Sequence, residues 1–265
     1  MNNNKVGVFD SGIGGLSVFS RLIKMLPNEN YIYFGDTLHL PYGNKTKEEL
    51  IEISLNIFDF FKEKGVKAVV MACNTTSATV YDVVKSKYDF EIYPIVQNVS
   101  NCIANKGYKR IGVFATNATV NSHAYKKELQ KCNSNLEVFE TACPTWVSIV
   151  ENSLQKEEKS IENIKMMMDI MLKNKVDKII LGCTHYPYLL NVLSEFAPRE
   201  IFIDPAEYFA QFIANDLSNK QLLNTEQAEP PKFYVSSSPK QFENSSTLFY
   251  KVNNIEPVSL NKIIA

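Results

Sequence analysis

Two cysteines hold matching places in this chain. Cys73 closes the apolar run Val69-Val-Met-Ala72 and is followed by Asn74 and Thr75. Cys183 closes Ile179-Ile-Leu-Gly182 and is followed by Thr184 and His185. A thiolate is a usable base and a thiol a usable acid, so two cysteines on opposite sides of one carbon could remove a proton from one face and return one to the other. A free cysteine has a pKa of about 8.5 and needs a neighbouring base or a helix N-terminus to favour the thiolate. Asp10, at the end of Lys5-Val-Gly-Val-Phe-Asp10, could serve Cys73 if their strands are neighbours. His185 lies two positions after Cys183. Asn74, Thr75 and Thr184 add donors at expected helix starts, where a carboxylate is well held.

A blander reading stands beside this one. A buried cysteine in an α/β protein is often a small hydrophobe, and that reading is preferred for Cys102, Cys132 and Cys143. On spacing alone Cys73 and Cys183 remain open between core and chemistry. Asp10 and Ser11 could only cap the next helix, and His185 could be a helix-start residue. Gly12-Ile-Gly-Gly15 fits neither GxxxxGK[ST] nor GxGxxG, so a tight strand-to-helix turn explains it better than a phosphate loop. Met166-Met-Met168 reads as core, and Trp146 as either a pocket wall or packing.

These residues depend on alternating strands and helices. Strands are expected at 5–9, 31–34, 68–72, 92–96, 110–115, 136–141, 178–182 and 200–203, with helices between most of them, among them 14–26 and 46–64. Thr46 with Glu49 three residues on is a capping pair. Short apolar strands alternating with helices predict parallel sheets covered on both faces. Ligands of such sheets gather beyond the carboxyl ends of the strands. Four polar sequences fall there: Asp10-Ser11-Gly12, Cys73-Asn74-Thr75, Ala115-Thr116 and Cys183-Thr184-His185.

An internal repeat supports two related halves. Lys5-Val-Gly-Val-Phe-Asp-Ser11 resembles Arg110-Ile-Gly-Val-Phe-Ala-Thr116, and the Cys73 segment resembles the Cys183 segment, in the same order and at nearly the same offset. The expected fold is α/β with two pseudo-symmetric domains, each a mostly parallel sheet flanked by helices, and the site in the cleft between them. The boundaries expected are 1–97 plus 208–265 for the first domain and 98–207 for the second. Residues 215–232 read as a connection, with short strands at 233–235 and 248–252 returning to the first domain.

Composition limits the alternatives. The chain has 265 residues with a net charge of −1, so it carries no electrostatic footprint for nucleic acid or an anionic membrane. No apolar run approaches the roughly 20 residues that span a bilayer, and the start Met-Asn-Asn-Asn-Lys lacks the regions of a signal peptide. A cytoplasmic location is expected. The five scattered cysteines include no CxxC pair and the three histidines lie far apart, so neither a disulfide framework nor a structural zinc site is expected.

Six segments in order carry a family resemblance: Gly7-Val-Phe-Asp-Ser-Gly-Ile-Gly-Gly-Leu-Ser17, Tyr33-Phe-Gly-Asp-Thr37, Pro41-Tyr-Gly43, Ala72-Cys-Asn-Thr75 with Ser77-Ala78, Ala142-Cys-Pro144, and Leu181-Gly-Cys-Thr-His-Tyr-Pro187. Over essentially its whole length the chain resembles the glutamate racemases of the aspartate/glutamate racemase superfamily. The resemblance implies a buried site between two pseudo-symmetric domains, with no cofactor and no metal. It assigns Cys73 and Cys183 as the catalytic thiols, with Asp10 and His185 assisting. Ser11, Tyr42, Gly43, Asn74, Thr75 and Thr184 match substrate-holding positions, with Thr119 a further one. Glu151 and Asp36 match supporting acidic positions. It further implies glutamate as substrate, a homodimer, and a role in supplying D-glutamate for peptidoglycan. Asp10-Ser11 with Cys183-Thr-His185 resembles the glutamate branch, since aspartate racemases tend to carry Glu where this chain has His185.

The chain departs from the family at Ile95-Val-Gln-Asn-Val99, where many members read like Val-Ile-Glu-Pro-Gly. That segment lies near the expected hinge, so the departure bears on effector response, domain motion and oligomer geometry, and leaves the thiols in place. Competing readings are aspartate or broad-specificity racemisation, a catalytically silent binding paralogue, and a thiol oxidoreductase. The intact cysteine pair argues against a silent copy, and the last requires Cα atoms within about 7 Å and a disulfide.

Overall fold

A computed structural model describes residues 5–260. The strands among these are β1 Lys5–Asp10, β2 Tyr31–Gly35, β3 Val66–Met71, β4 Glu91–Pro94, β5 Arg110–Ala115, β6 Glu137–Ala142, β7 Lys178–Gly182, β8 Phe202–Ile203, β9 Lys232–Val235 and β10 Ile255–Pro257. The helices in the first half are α1 Leu16–Met25, α2 Lys47–Glu63, α3 Asn74–Val84, α4 Ile95–Ile103, α5 Asn117–Ser122 and α6 Ala124–Cys132. Those that follow are α7 Trp146–Glu151, α8 Glu158–Lys173, α9 Leu190–Leu193, α10 Pro205–Asn219 and α11 Pro239–Ser246.

Two sheets result. One runs β10-β9-β2-β1-β3-β4 and the other β6-β5-β7-β8, and every pairing is parallel. The strand interiors are buried on both faces, which is why Val-Gly-Val-Phe and Val-Val-Met read as unbroken apolar runs. A continuous core links the sheets: Val8 and Val70 from one, Val113 and Ile180 from the other, with Val96, Val99, Phe209 and Ile213 of α4 and α10 among them. Helix α10 packs on α1 and α4, so elements from both ends of the chain share this core.

The expected capping pair forms. Thr46 Oγ1 accepts from the Glu49 amide at 3.2 Å, while Glu49 Oε2 accepts from the Thr46 amide at 2.8 Å. The tail does return to the first sheet, where β9 pairs with β2.

Several boundaries differ from expectation. The strand predicted over 92–96 stops at Pro94, and Ile95 and Val96 open α4, whose first turn buries them. Proline lacks the N–H a strand ladder needs, which favours a break there. Helix α1 begins at Leu16 because Gly12 to Gly15 form the turn, and the strand predicted over 200–203 keeps only its last two residues. Residues 215–219 belong to α10, so the irregular connection begins after them. No strand forms at 248–252, and the last strand among the described residues lies at Ile255–Pro257. Most of the apolar side chains of that segment pack against other elements instead, while Leu248 stays 42% exposed. Phe249 meets Tyr188 and His185, Tyr250 meets Phe19, and Val252 is buried. Of the predicted methionine core, Met168 is fully buried but Met166 is 52% exposed, because α8 turns it outward.

Candidate active site

The four polar strand ends converge. Asp10 ends β1, Cys73 follows β3, Thr116 follows β5 and Cys183 follows β7; these are neighbouring strands near the centre of each sheet. A cavity of about 330 Å³ opens between them. Its wall includes both thiols, together with Ser11, Tyr42, Gly43, Asn74, Thr75, Thr184, His185 and Glu151. Cys73 stands at the N-cap of α3 and Cys183 just before the short 3₁₀ turn Tyr186–Leu189. Both cysteines are free and buried, at 5% and 7% exposure.

The two thiols have unlike surroundings. Cys183 Sγ lies 3.8 Å from His185 Nδ1, and His185 Nε2 lies 3.1 Å from Glu151 Oε1. Burial disfavours charge on His185, but hydrogen bonds to Cys183 and Glu151 outweigh it and raise the imidazole to about 10. A cation beside a sulfur is one of the settings that favour a thiolate. Cys73 has no imidazole. Burial and the negative charge of Asp10 push its thiol up to about 12, against hydrogen bonds from Thr76 that pull it down.

Asp10 supports the wall from behind. It is fully buried, accepts from the Gly12 amide at 3.0 Å, and accepts from Thr184 Oγ1 at 3.3 Å. Burial raises its pKa, opposed by the charge of His185 and by the amides of Gly12 and Gly15. The glycines of the first loop allow this close approach. A Cβ at Gly14 would sit 2.3 Å from Thr184 Oγ1 and 2.7 Å from the His185 ring, and one at Gly15 would sit 2.4 Å from Asp10 Cβ.

Asp36 is likewise buried and stands behind Tyr42. It accepts a short hydrogen bond from the Tyr42 hydroxyl, and His39 Nδ1 and Ser236 Oγ bind it at 2.7 and 2.6 Å. Thr119 is fully buried behind Thr116, whose hydroxyl bonds to those of Thr119 at 3.0 Å and Thr75 at 2.9 Å. Asp10, Asp36 and Thr119 therefore sit one layer back from the cavity surface, and the other ten predicted site residues line it.

The sequence profile of the Asp/Glu/Hydantoin racemase family matches residues 6–213. Among curated relatives, the glutamate racemase of Trichodesmium erythraeum is 38% identical over 91% of this chain and 90% of its own. That of Carboxydothermus hydrogenoformans is 36% identical over 98% and 97%. This chain belongs to the Asp/Glu/Hydantoin racemase family, among its glutamate racemases. Among solved structures of the same family, the glutamate racemase of Francisella tularensis in complex with D-glutamate superposes with a TM-score of 0.92 at 32% identity, covering 99% of this chain and all of that one, 100%.

The racemase cavity is also lined by Leu40, Asn44, Asn117, Val147 and Ser148, which no sequence motif marks as site residues, and by Thr116, Pro41 and Pro144, which the strand ends and family segments contain without assigning them a role. Thr116 had a signal, since it occupies the strand end matching Ser11 in the internal repeat. A Cβ on Gly43 would sit 2.9 Å from Thr116 Cβ, so the Tyr42-Gly43 turn rests directly on it. Val147 and Ser148 lie on α7, the helix that carries Glu151, and nothing in their types marks them. Trp146 turns out to be packing, wedged against Phe114 and Tyr186. Cys143 is buried as expected of a small hydrophobe, whereas Cys132 is partly exposed and donates to Asn101 Oδ1. Gln97, in the segment that departs from the family pattern, is bonded to Ser77 behind α3 and does not line the cavity.

Proposed function

We propose that this protein interconverts L- and D-glutamate through two opposed cysteines, supplying D-glutamate for peptidoglycan. The observation that carries the reading is the pairing of Cys73 and Cys183 across one cavity, each at the carboxyl end of a central strand in a different sheet. In the family's pattern Cys183 takes the α-proton of L-glutamate and Cys73 delivers a proton to the opposite face, with the roles reversed for D-glutamate. The resting asymmetry suits the first direction, because His185 backs Cys183 while the Cys73 thiol is held protonated.

The α-proton of an amino acid is weakly acidic, so negative charge developing on the carboxylate side must meet fixed donors. The amides at the start of α3 and the side chains of Asn74, Thr75 and Thr184 supply them from the cavity wall. Ser11, Tyr42 and Gly43 line the same cavity and can hold the second carboxylate. Asp10 and Asp36 keep Thr184 and Tyr42 in place, and Thr119 does the same for Thr116. The first sheet takes its strands from residues 5–94 and 232–257 and the second from 110–203, which accords with domains of 1–97 plus 208–265 and of 98–207 whose boundaries fall within α4 and α10, and the family default is a cytoplasmic homodimer. Among the described residues no helix is long and apolar enough to cross a membrane.

Polarimetric initial rates with L-glutamate and L-aspartate, measured side by side on purified protein, test the reading. Loss of rotation with glutamate and little with aspartate is the expected result. Faster turnover of aspartate would replace the substrate, and silence with both would leave a binding protein.

A further inference from the structure

The site residue Asn74 is gripped from the far side by a residue on another helix. The hydroxyl of Tyr125, on α6, donates to Asn74 Oδ1 at 2.6 Å. The carbonyl end of the amide therefore faces the phenol, at a spacing ordinary for an O–H···O bond. Asn74 Nδ2 is left with no partner in the protein, although the residue is only 3% exposed and lines the cavity. A buried amide donor without a partner is costly, and most buried polar groups are hydrogen-bonded.

Tyr125 is well placed to hold this geometry. It is fully buried, and its ring is packed so closely on the backbone beside Cys183 that a Cβ at Gly182 would lie 2.9 Å from Tyr125 Cε2. Burial, then negative charge at Cys183 and Asp204, raise the phenol's pKa, so it stays a donor. The bond also joins helices that follow strands of different sheets, since α3 follows β3 and α6 lies between β5 and β6.

We infer that Tyr125 is a positioning residue: by occupying Asn74 Oδ1 from the second sheet's side, its hydroxyl reserves Asn74 Nδ2 as the donor for a bound amino-acid carboxylate. The inference rests on the proposed racemisation and deepens it, because it couples the approach of the two halves to the readiness of one ligand-holding group. Tyr125 itself touches neither the cavity nor the reacting atoms.

The test is a double-mutant cycle with L-glutamate, using Tyr125→Phe, Asn74→Ala and the pair, with Tyr31→Phe as control. Tyr31 is a buried phenol whose hydroxyl donates to Leu22 and Leu26 carbonyls away from the cavity. Tyr125→Phe keeps the ring and so keeps the packing. The expected result is a KM raised about threefold to tenfold with kcat little changed, no further rise from Tyr125→Phe once Asn74 is Ala, and an unchanged KM in Tyr31→Phe. An unchanged KM in Tyr125→Phe, or an equal rise with and without Asn74, overturns the inference while wild-type turnover leaves the function standing. A wild-type protein that does not racemise glutamate overturns both.

Discussion

His185 bridges a thiol and a carboxylate, its Nδ1 3.8 Å from Cys183 Sγ and its Nε2 3.1 Å from Glu151 Oε1. No such bridge serves Cys73, whose burial beside Asp10 favours the protonated thiol. The pseudo-symmetry of the fold therefore places two chemically unequal groups at equivalent strand ends. A reaction whose two directions start from opposite protonation states can use that inequality.

Glu151→Gln removes the charge that helps hold the imidazolium. Burial opposes charge on His185, and its partners raise it from 6.5 to about 10. A raised folded-state value adds stability that is complete below about pH 6.5 and is lost as pH rises through about 10. In Glu151→Gln the pH at which His185 loses its proton should move down, and the alkaline limb of kcat/KM should move with it. A drop in kcat/KM of about tenfold to a hundredfold is expected at neutral pH. The melting-temperature gap between wild type and variant should narrow between pH 7 and 10. A superimposable pH profile would show that Glu151 does not tune His185.

Gly14→Ala puts a methyl group into space already filled by Thr184 and His185. Both belong to the second sheet's strand end, so relief of the clash must push the loop away from the Cys183 side. The expected outcome is a destabilisation of about 1–3 kcal/mol together with a loss of activity larger than the stability change explains. Denaturant melts and initial rates on the same preparation separate the two. Full activity in a stable variant would mean that the loop contact is incidental.

Lys67→Met serves as a contrast far from the chemistry. Lys67 Nζ and Glu29 Oε2 form a 2.6 Å ion pair at 3% and 2% side-chain exposure, and Lys67 also donates to the Leu222 carbonyl. Removing one partner leaves a buried carboxylate unpaired, which costs about 3–5 kcal/mol. The KM for glutamate should stay unchanged at temperatures where the variant is folded. A raised KM would indicate that the tail anchored there reaches the site.

The parts of the site that sequence could reveal are those set by local pattern. Cys73, Thr116 and Cys183 each follow an apolar strand, and a parallel sheet sends such positions to one edge of its own sheet, but the meeting of the two sheets' edges at one cavity is set by tertiary packing that the strand pattern does not encode. The grip of Tyr125 on Asn74 spans 51 residues between two helices, and no periodicity encodes it. Asp36 and Thr119 match family positions, yet the structure sets them behind Tyr42 and Thr116, a depth that side-chain type does not specify. The misplaced final strand has the same origin. Leu248 to Val252 is apolar enough for a strand, but Phe249 and Tyr250 find better burial against Tyr188 and Phe19.

In the proposed reaction one thiol removes the α-proton and the other delivers a proton to the opposite face of the same carbon. Proton NMR in D₂O with each glutamate enantiomer, on wild type and on Cys73→Ser and Cys183→Ser, tests it most directly. At early times deuterium should enter the α-position of the newly formed enantiomer while the starting enantiomer keeps its proton. Each serine variant should lose racemisation by at least about a thousandfold. Deuterium washing into the starting enantiomer of the wild type without inversion, or substantial racemisation surviving in both variants, would contradict it.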